Sequence, residues 1–375
     1  MNISFFCNPQ TVEQNALVQV ENYASKAHLN ALAAFPDIHF CEEKALPVGV
    51  AFRTTQYFYP LITGKDIGCG VMYLKVNKSL LLKPFAKSEH YAAWARLHHS
   101  MTDDGLGGGN HFLSLEEDED FLYIICHTGT RNLGIGFFHR NYQLVQDFSA
   151  AYGQKVEFLS PEFVGETYFQ DYEKLLEYGY ARRKAFCLKT LIFLQKAGYI
   201  QSHKAKIPDT YLRDSYANYA ESDQIFGAEY ELADSIHNHL RFLGKDVIHR
   251  KGSTELVANK IAVIPLSMSR GSLLVKPLPT LSVEEALSSC SHGAGRALSR
   301  FQAMRHWSNG LKEKERRNYK QQFSELLNAK GEFLAGYIQE MDFAYKDSSE
   351  LLHWQPWLKK VSQTTPIATI KYSEI

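Results

Sequence analysis

Short apolar runs alternate along this chain with stretches of helical spacing. The apolar runs predict buried strands at Val48–Phe52, Gly70–Val76 and Phe121–Cys126. Helical spacing predicts helices over Thr11–Ala34, Lys83–Ser100, Val164–Ala197 and Ile225–Leu243. Elements mixed in this way predict an α/β (α+β mixed) fold with central sheets flanked by helices. No repeat, linker or change of composition divides the sequence, so we expect one compact domain over residues 1–375.

Composition excludes some classes of protein. A chain of 375 residues that is 45% hydrophobic can bury a large core, yet no run approaches the ~20 apolar residues of a membrane span. The segment Met1–Phe6 lacks the basic flank and apolar run of a signal peptide. Six cysteines without a CxxC pair do not form a disulfide scaffold. We therefore expect a soluble protein of the reducing cytoplasm.

The net charge does not point to a polyanionic partner. Lys plus Arg and Asp plus Glu both number 41, so the formal net charge is zero. A site for RNA would have to be a local patch of positive charge.

The segment Asp66-Ile67-Gly68-Cys69-Gly70 places a carboxylate three residues from a thiol. Glycine permits a tight turn, so both side chains could point into one pocket. Such a pair suits a divalent transition metal of intermediate hardness. Taken alone, a buried cysteine beside a turn aspartate is the commoner explanation.

Four histidines stand in settings that suit ligands. Three begin or follow glycine-rich turns and the fourth lies in a predicted helix: His111, His127, His292 and His237. One such histidine is more often structural than a ligand. Together with the carboxylate and the thiol, however, they favour Mn, Zn, Co or Fe over Mg or Ca. A thiolate can bridge ions, so this donor set allows a two-metal site of the kind used in phosphoryl chemistry.

His292 precedes Gly293 and Gly295, which predict an exposed position on a flexible turn. An imidazole in that setting can act as a nucleophile toward phosphorus, with Arg296 available to bind an anion. A surface histidine in a helix-capping loop fits the same residues equally well.

Four basic segments are candidate anion sites, at Thr128–Arg131, Arg182–Lys184, His249–Thr254 and Ser267–Ser272. Any one of them is more often a solvated charge cluster. Four in a neutral chain predict a local positive groove, as a single-stranded polyanion requires.

These motifs, in this order, resemble the RtcB family of GTP- and manganese-dependent RNA ligases. The matching segments are Phe35–His39 with Val48–Ala51, Asp66–Gly70, Gly107–Leu113, His127–Gly134, His237-Asn238, His249–Thr254, Ser289–Arg296, Ala344–Asp347 and Ile370-Lys371. The resemblance implies the fold of an RtcB-like domain with a cleft for metal and nucleotide.

The resemblance also implies roles for individual residues. Two Mn²⁺ ions, with Cys69 as bridge, would be bound by Asp66, Cys69, His111, His127 and His237. His292 would be the catalytic nucleophile that takes GMP from GTP. The guanylate would be surrounded by Asn110, His111, Phe112, Leu113, Ser114, His237, Asn238, Pro265, Leu266, Ser267, Met268, Ser272, His292, Gly293, Ala294, Gly295 and Lys371.

The implied reaction joins an RNA 3′-phosphate or 2′,3′-cyclic phosphate to a 5′-hydroxyl, through histidine–GMP and RNA(3′)pp(5′)G. The short chain is similar to a bacterial paralogue that in some genomes lies beside a peptide-release-factor homologue and mends damaged ribosomal RNA, which implies that homologue as a partner in the same pathway.

The sequence departs from the family pattern at three places, and the first two bear on nucleotide recognition. Ser114 replaces a family glutamate, Arg270 adds a cation to the segment that follows Pro265, and Phe40-Cys41 follows His39. Two other functions fit the residues. One is a metal-dependent RNA-binding or phosphoesterase-like protein that does not ligate, and the other is a structural zinc protein with closed, four-coordinate sites.

Overall fold

Two five-stranded sheets and two smaller sheets form the framework of the protein. The structure is a computed structural model that describes residues 2–26, 28–41, 46–99, 105–201, 230–324 and 335–371. The strands are β1 Asn2–Phe5, β2 Leu29–His39, β3 Val48–Thr55, β4 Gly70–Asn77, β5 Phe112–Glu117, β6 Phe121–Thr128, β7 Tyr230–Ile236, β8 Asn238–Leu243, β9 Asp246–Lys251, β10 Ser253–Glu255, β11 Ala262–Ser267, β12 Gly271–Pro277, β13 Ser289–Ser291, β14 Leu358–Gln363 and β15 Thr365–Ile370.

The first large sheet has the order β1-β2-β3-β9-β8 and the second has the order β15-β5-β6-β4-β7. Strands β1 and β2 are parallel, whereas all other described pairs are antiparallel. The small sheets are β11-β12-β14 and β10-β13. The α-helices of the described residues are α1 Gln14–Ala24, α2 Lys87–His99, α3 Asn132–Tyr152, α4 Pro161–Lys196, α5 Leu281–Glu285, α6 Arg300–Arg305, α7 Glu313–Gln322, α8 Ala335–Ile338 and α9 Ser348–His353.

Helix α4 packs against both large sheets and joins them into one structure. Its first half contributes Tyr168 and Tyr172 to the core beneath the first sheet. Its second half contributes Phe186 and Leu191 to the core beneath the second sheet. The mixed α/β class with sheets flanked by helices is confirmed.

The sheet β11-β12-β14 lies against the other face of both large sheets. Alternate residues of its strands belong to different cores: Ile264 and Leu273 to one, Val263 and Leu274 to the other. Successive side chains of a strand point to opposite faces, so one thin sheet fills both spaces.

The predicted helix over Thr11–Ala34 is wrong beyond Ala24, because Leu29–His39 is strand β2. Both faces of this strand are buried, Leu32 and Ala34 toward one core and Ala33 and Phe35 toward another. Small residues suit a strand covered on both sides, yet alanine favours helices in isolation, which explains the false helical pattern.

The predicted helix over Ile225–Leu243 is also wrong from residue 230 onward, and residues 225–229 lie outside the described residues. The segment forms strands β7 and β8, with His237 between them. Asp234 and Arg241, which helical spacing places on the face of His237, instead pair with Arg183 and Glu255. Pairing with β4 and β9 overrides the local spacing.

Among the helices that the structure describes, none combines the length and the apolarity that crossing a membrane requires.

Candidate metal centre and nucleotide cleft

The predicted metal ligands meet at one end of the second large sheet. Cys69 directly precedes β4, His111 directly precedes β5, and His127 lies near the end of β6. Strand β7 ends directly before His237. These strands are neighbours and antiparallel, so the start of one lies beside the end of the next.

Thiol, imidazole and carboxylate groups approach one another in a chain of short contacts. The Cys69 Sγ lies 3.4 Å from His111 Nε2 and 3.3 Å from His127 Nε2. The His111 Nε2 is 3.1 Å from Asp66 Oδ2, and the His127 Nε2 is 3.3 Å from His237 Nε2. Two donors bound at about 2.0 and 2.3 Å to one tetrahedral ion are roughly 3.5 Å apart, so these separations fit ligands that share an ion.

Burial keeps the two inner histidines in the neutral form that binds metals. Burial lowers the pKa of His127 and of His237 well below the usual value, and neighbouring histidines lower both further. For Cys69, burial and the Asp66 carboxylate raise the pKa of the thiol well above its usual range. A cation between these groups would oppose both effects on the thiol and favour the thiolate.

Two glycines leave room for the ligands. A Cβ at Gly129 would lie 2.4 Å from Asp66 Oδ1, and one at Gly107 would lie 2.3 Å from His111 Nδ1. Neither position can therefore carry a larger residue without displacing a ligand. The donor set and this close packing both fit a bound transition metal.

Backbone and amide groups behind the ligands set their orientation. The His127 Nδ1 donates to the carbonyl of Asn110 at 3.1 Å, which leaves Nε2 toward the cluster. The Asn238 amide donates to the carbonyl of Asp66 and accepts from the Gly252 N–H. Asn238, predicted to contact nucleotide, thus has its side-chain amide engaged in holding the wall of the site.

His292 is held by Asp37, a residue that sequence reasoning did not single out. The Asp37 Oδ2 accepts from His292 Nδ1 at 2.6 Å and from the backbone N–H groups of His292 and Gly293. A Cβ at Gly295, where φ is +74°, would lie 2.7 Å from the Asp37 Cα. The prediction of an exposed position is wrong, because only 13% of the His292 side chain is exposed. A lone aspartate inside the apolar run Phe35–Ile38 was the available signal.

One cleft joins His292 to the donor cluster. The His292 and His237 rings lie 4.9 Å apart between centroids. The cavity has a volume of about 760 Å³, within the range of small-molecule sites. All predicted site residues line it except His111, Leu113, Ser114 and Ser272. Leu113 lies in the core behind β5, and Ser114 and Ser272 are buried.

Comparison with known proteins agrees with this geometry. Residues 84–372 match the family described as tRNA-splicing ligase RtcB. The chain belongs to this family. It is 24% identical to the RNA-splicing ligase RtcB of Escherichia coli, over 94% of this chain and 93% of the relative. It is 23% identical to the RNA-splicing ligase RtcB2 of another Escherichia coli strain, over 77% of this chain and 74% of the relative. It is 26% identical to the RNA-splicing ligase RtcB of Mycobacterium tuberculosis, over 71% and 64%.

Four basic residues of two predicted anion sites are structural in this RtcB-family chain. Arg182, Arg183 and Lys184 are buried in α4, where Arg183 pairs with both carboxylate oxygens of Asp234 at 2.6 Å. Arg250 is buried near Glu255 and donates to Ser289. Buried cations with such partners cannot form a groove open to RNA.

Five other cations line the RtcB-family cleft, and one of them, Lys251, belongs to the predicted anion segment His249–Thr254. They come from four segments of the chain, since the two arginines are only four residues apart: Lys65, Lys251, Arg296, Arg300 and Lys371. Arg296, predicted to bind an anion, donates to the carbonyl groups of Leu298 and Gln339. Lys65 and Arg300 carry no motif that marks them in the sequence, and the fold brings them to the cleft.

Proposed function

We propose that this chain is a GTP-dependent RNA ligase that joins an RNA 3′-phosphate, or a 2′,3′-cyclic phosphate after opening, to a 5′-hydroxyl. One observation supports this most directly. A histidine whose Nδ1 is held by a buried carboxylate shares a cleft of nucleotide size with a thiol, imidazole and carboxylate cluster.

Asp37 orients the proposed nucleophile. Because His292 Nδ1 donates to Asp37, the other ring nitrogen, Nε2, is the one available to attack. As Nε2 bonds to phosphorus the ring gains positive charge, and the Asp37 carboxylate stabilises that charge. Backbone N–H groups of His292 and Gly293 hold the same carboxylate oxygen in place.

Three displacements complete the proposed reaction. His292 Nε2 bonds to the α-phosphorus of GTP and pyrophosphate leaves. An oxygen of the RNA 3′-phosphate then bonds to that phosphorus and the imidazole leaves, which gives RNA(3′)pp(5′)G. The 5′-hydroxyl oxygen, after losing its proton, bonds to the RNA phosphorus and GMP leaves. Conversion of the 3′-phosphate to a pyrophosphate linkage supplies the leaving group that a phosphate monoester lacks.

The mixed set of donor atoms favours Mn²⁺ as the metal. Two such ions would be held by Asp66, His111, His127 and His237, with Cys69 as a ligand common to both. His111 and His127 both contact this thiol, while Asp66 contacts His111 and His237 contacts His127. Bound ions would supply Lewis-acid stabilisation of charge on the transferring phosphoryl group. The cluster borders an open cleft, which disfavours a closed structural zinc site.

Radiolabelled GTP tests the proposal directly. We expect the protein with Mn²⁺ to form an acid-labile, alkali-stable protein–GMP adduct that His292→Ala abolishes. The exposed His139 provides a matched control, and His139→Ala should retain the adduct. An adduct that persists in His292→Ala would contradict the proposal.

A second assay separates ligation from simple RNA binding or phosphoesterase activity. RNA with 3′-phosphate and 5′-hydroxyl ends should be sealed only when GTP and Mn²⁺ are present. Loss of the 3′-phosphate without sealing would support the phosphoesterase-like alternative. Broken ribosomal RNA is the substrate that the paralogue resemblance suggests, and adding a peptide-release-factor homologue to this assay tests that partner.

A further inference from the structure

Glu116 is a buried carboxylate in the wall of the cleft, and it has no part in the proposed mechanism. Only 3% of the residue is exposed, and it lines the cavity together with His292. Phe112, Ser114 and Glu116 share one face of β5, because alternate residues of a strand point the same way. The Ser114 Oγ donates to Glu116 Oε1 at 2.7 Å, which ties these neighbours on the face together.

Hydroxyl groups are the partners that the structure gives this carboxylate. Thr364 Oγ1 donates to Oε2, and Ser114 donates to Oε1. Among the described residues, no cation forms an ion pair with Glu116. Its neighbour in the cleft, Glu340, differs because Arg296 and Lys371 each lie 3.5 Å from its Oε1. Glu340 is therefore compensated by the protein, whereas Glu116 is not.

A buried carboxylate without a cation retains acceptor capacity that a ligand can use. Each carboxylate oxygen accepts more than one hydrogen bond, and the hydroxyl donors account for only part of this capacity. Burial raises the pKa of Glu116, which expresses the cost of keeping the charge there. Hydrogen-bond donors from a ligand would lower that cost.

We propose that Glu116 recognises the base of the bound nucleotide and selects guanine. The proposal rests on the proposed function, since it assigns the base-reading residue of the same cleft. An ionised carboxylate only accepts hydrogen bonds, so it pairs with a base edge that presents two adjacent donors. Guanine presents N1–H and the 2-amino group side by side. Adenine places its N1 acceptor beside the 6-amino donor. One carboxylate oxygen of Glu116 would therefore face an acceptor, with which it cannot form a hydrogen bond.

Neighbouring residues place Glu116 where a base can reach it. Strand β15 pairs with β5, and Ser114 lies opposite Thr369. Thr369 and Lys371 line the same cavity as Glu116. A nucleotide with its phosphate at His292 and its base toward the β5–β15 edge would lie within one continuous cavity.

Binding of GMP, IMP and AMP to the full-length, Mn²⁺-loaded protein tests the proposal by calorimetry without chemistry. IMP lacks only the 2-amino group. Hydrogen bonds to a charged group are worth roughly 1.5–3 kcal/mol, so the wild type should bind GMP about 10- to 100-fold more tightly than IMP. In Glu116→Gln the amide presents a donor to one side, and the GMP-to-IMP ratio should fall to within about threefold of unity.

Two further variants keep the result interpretable. Glu117→Gln alters the next residue, which faces away from Glu116 and pairs with Lys78 at 2.8 Å, and it should leave the GMP-to-IMP ratio unchanged. Glu116→Asp keeps the charge but withdraws it by one methylene, and it should also reduce the ratio. Thermal unfolding of each variant shows that the fold is retained.

The outcomes separate this inference from the proposed function. If Glu116→Gln and Glu116→Asp fold and still prefer GMP to IMP as the wild type does, Glu116 does not read the base. The proposed function still stands after that result, provided that the wild type binds GMP and forms the His292 adduct. Absence of both binding and adduct in the wild type would overturn the proposed function and this inference with it.

Discussion

Among the described residues, the cluster around Glu255 and the cluster around Cys69 both contain buried histidines, and the groups that face these histidines differ. Around Glu255, the carboxylate contacts His239 Nε2 at 3.2 Å and the Arg241 guanidinium at 2.8 and 2.9 Å, with Arg250 at 3.5 Å. Opposite charges face each other there, and each cation has an anionic partner within reach.

Around Cys69, by contrast, imidazole nitrogens face a thiol and one another. His127 Nε2 lies 3.3 Å from both Cys69 Sγ and His237 Nε2. Two neutral imidazole nitrogens at this distance gain little unless a proton or a metal ion lies between them. Burial with complementary partners therefore marks a structural cluster, and burial of converging ligand atoms marks a metal site.

Removing the Cys69 thiol, at the centre of the second cluster, should have the largest effect on metal binding and on adduct formation. We expect Cys69→Ala to lose the protein–GMP adduct and to weaken Mn²⁺ binding by more than about 100-fold, since changes to groups behind a ligand already cost 10- to 100-fold. Metal content by mass spectrometry and adduct formation measure this. Cys187→Ala makes the same change at a buried cysteine away from the cluster and should preserve both.

Asp37 tests whether the nucleophile needs its orientation. Asp37→Asn should slow adduct formation by roughly 10²- to 10⁴-fold, the contribution typical of a positioned proton-transfer partner. Metal content should stay at the wild-type level, because Asp37 contacts His292 and lies outside the donor cluster. Equal loss of metal and adduct would show that Asp37 acts on the fold instead.

A substitution in the Glu255 cluster should lower the free energy of unfolding and leave adduct formation unchanged. Glu255→Gln removes the anion that His239, Arg241 and Arg250 share, and breaking a buried pair costs about 3–5 kcal/mol. Urea unfolding measures this cost. Metal bound per folded molecule should not change. The exposed Glu284 offers the control, and Glu284→Gln should change the free energy of unfolding by less than ~0.5 kcal/mol.

The smallest effect concerns a buried histidine outside both clusters. Burial lowers the pKa of His249 to about 3, and its Nε2 accepts from the Tyr59 N–H. In the unfolded chain the pKa of this histidine is near 6.5. Between pH 6.5 and about 3, therefore, the unfolded chain binds a proton at His249 and the folded chain does not. Stability is therefore lost as pH falls below about 6.5, by up to ~1.4 kcal/mol per pH unit.

His249→Gln should flatten this dependence by one proton, as measured by urea unfolding at pH 7, 6 and 5. The same substitution at the exposed His353 should leave the slope unchanged. A slope identical in His249→Gln and wild type would assign the acid sensitivity to other groups.

The sequence by itself determined the apolar strands and the chemical types of the site. The run Phe121–Cys126 predicts a strand because it is short and rich in aromatic and β-branched residues, and the structure confirms β6 there. The glycine-flanked Cys69, His127 and His292 were predicted from local context, and all three line the cleft. Their roles as ligands and nucleophile stay predictions.

Only the tertiary structure decided which polar groups are partners. Arg183 and Asp234 are far apart in the chain, and their pairing converts a predicted anion site into a buried ion pair. Asp37 reaches His292 across 255 positions, and no local pattern contains that contact. Local spacing reports which face of an element is apolar, whereas the partner of a buried charge depends on chain segments that meet only after folding.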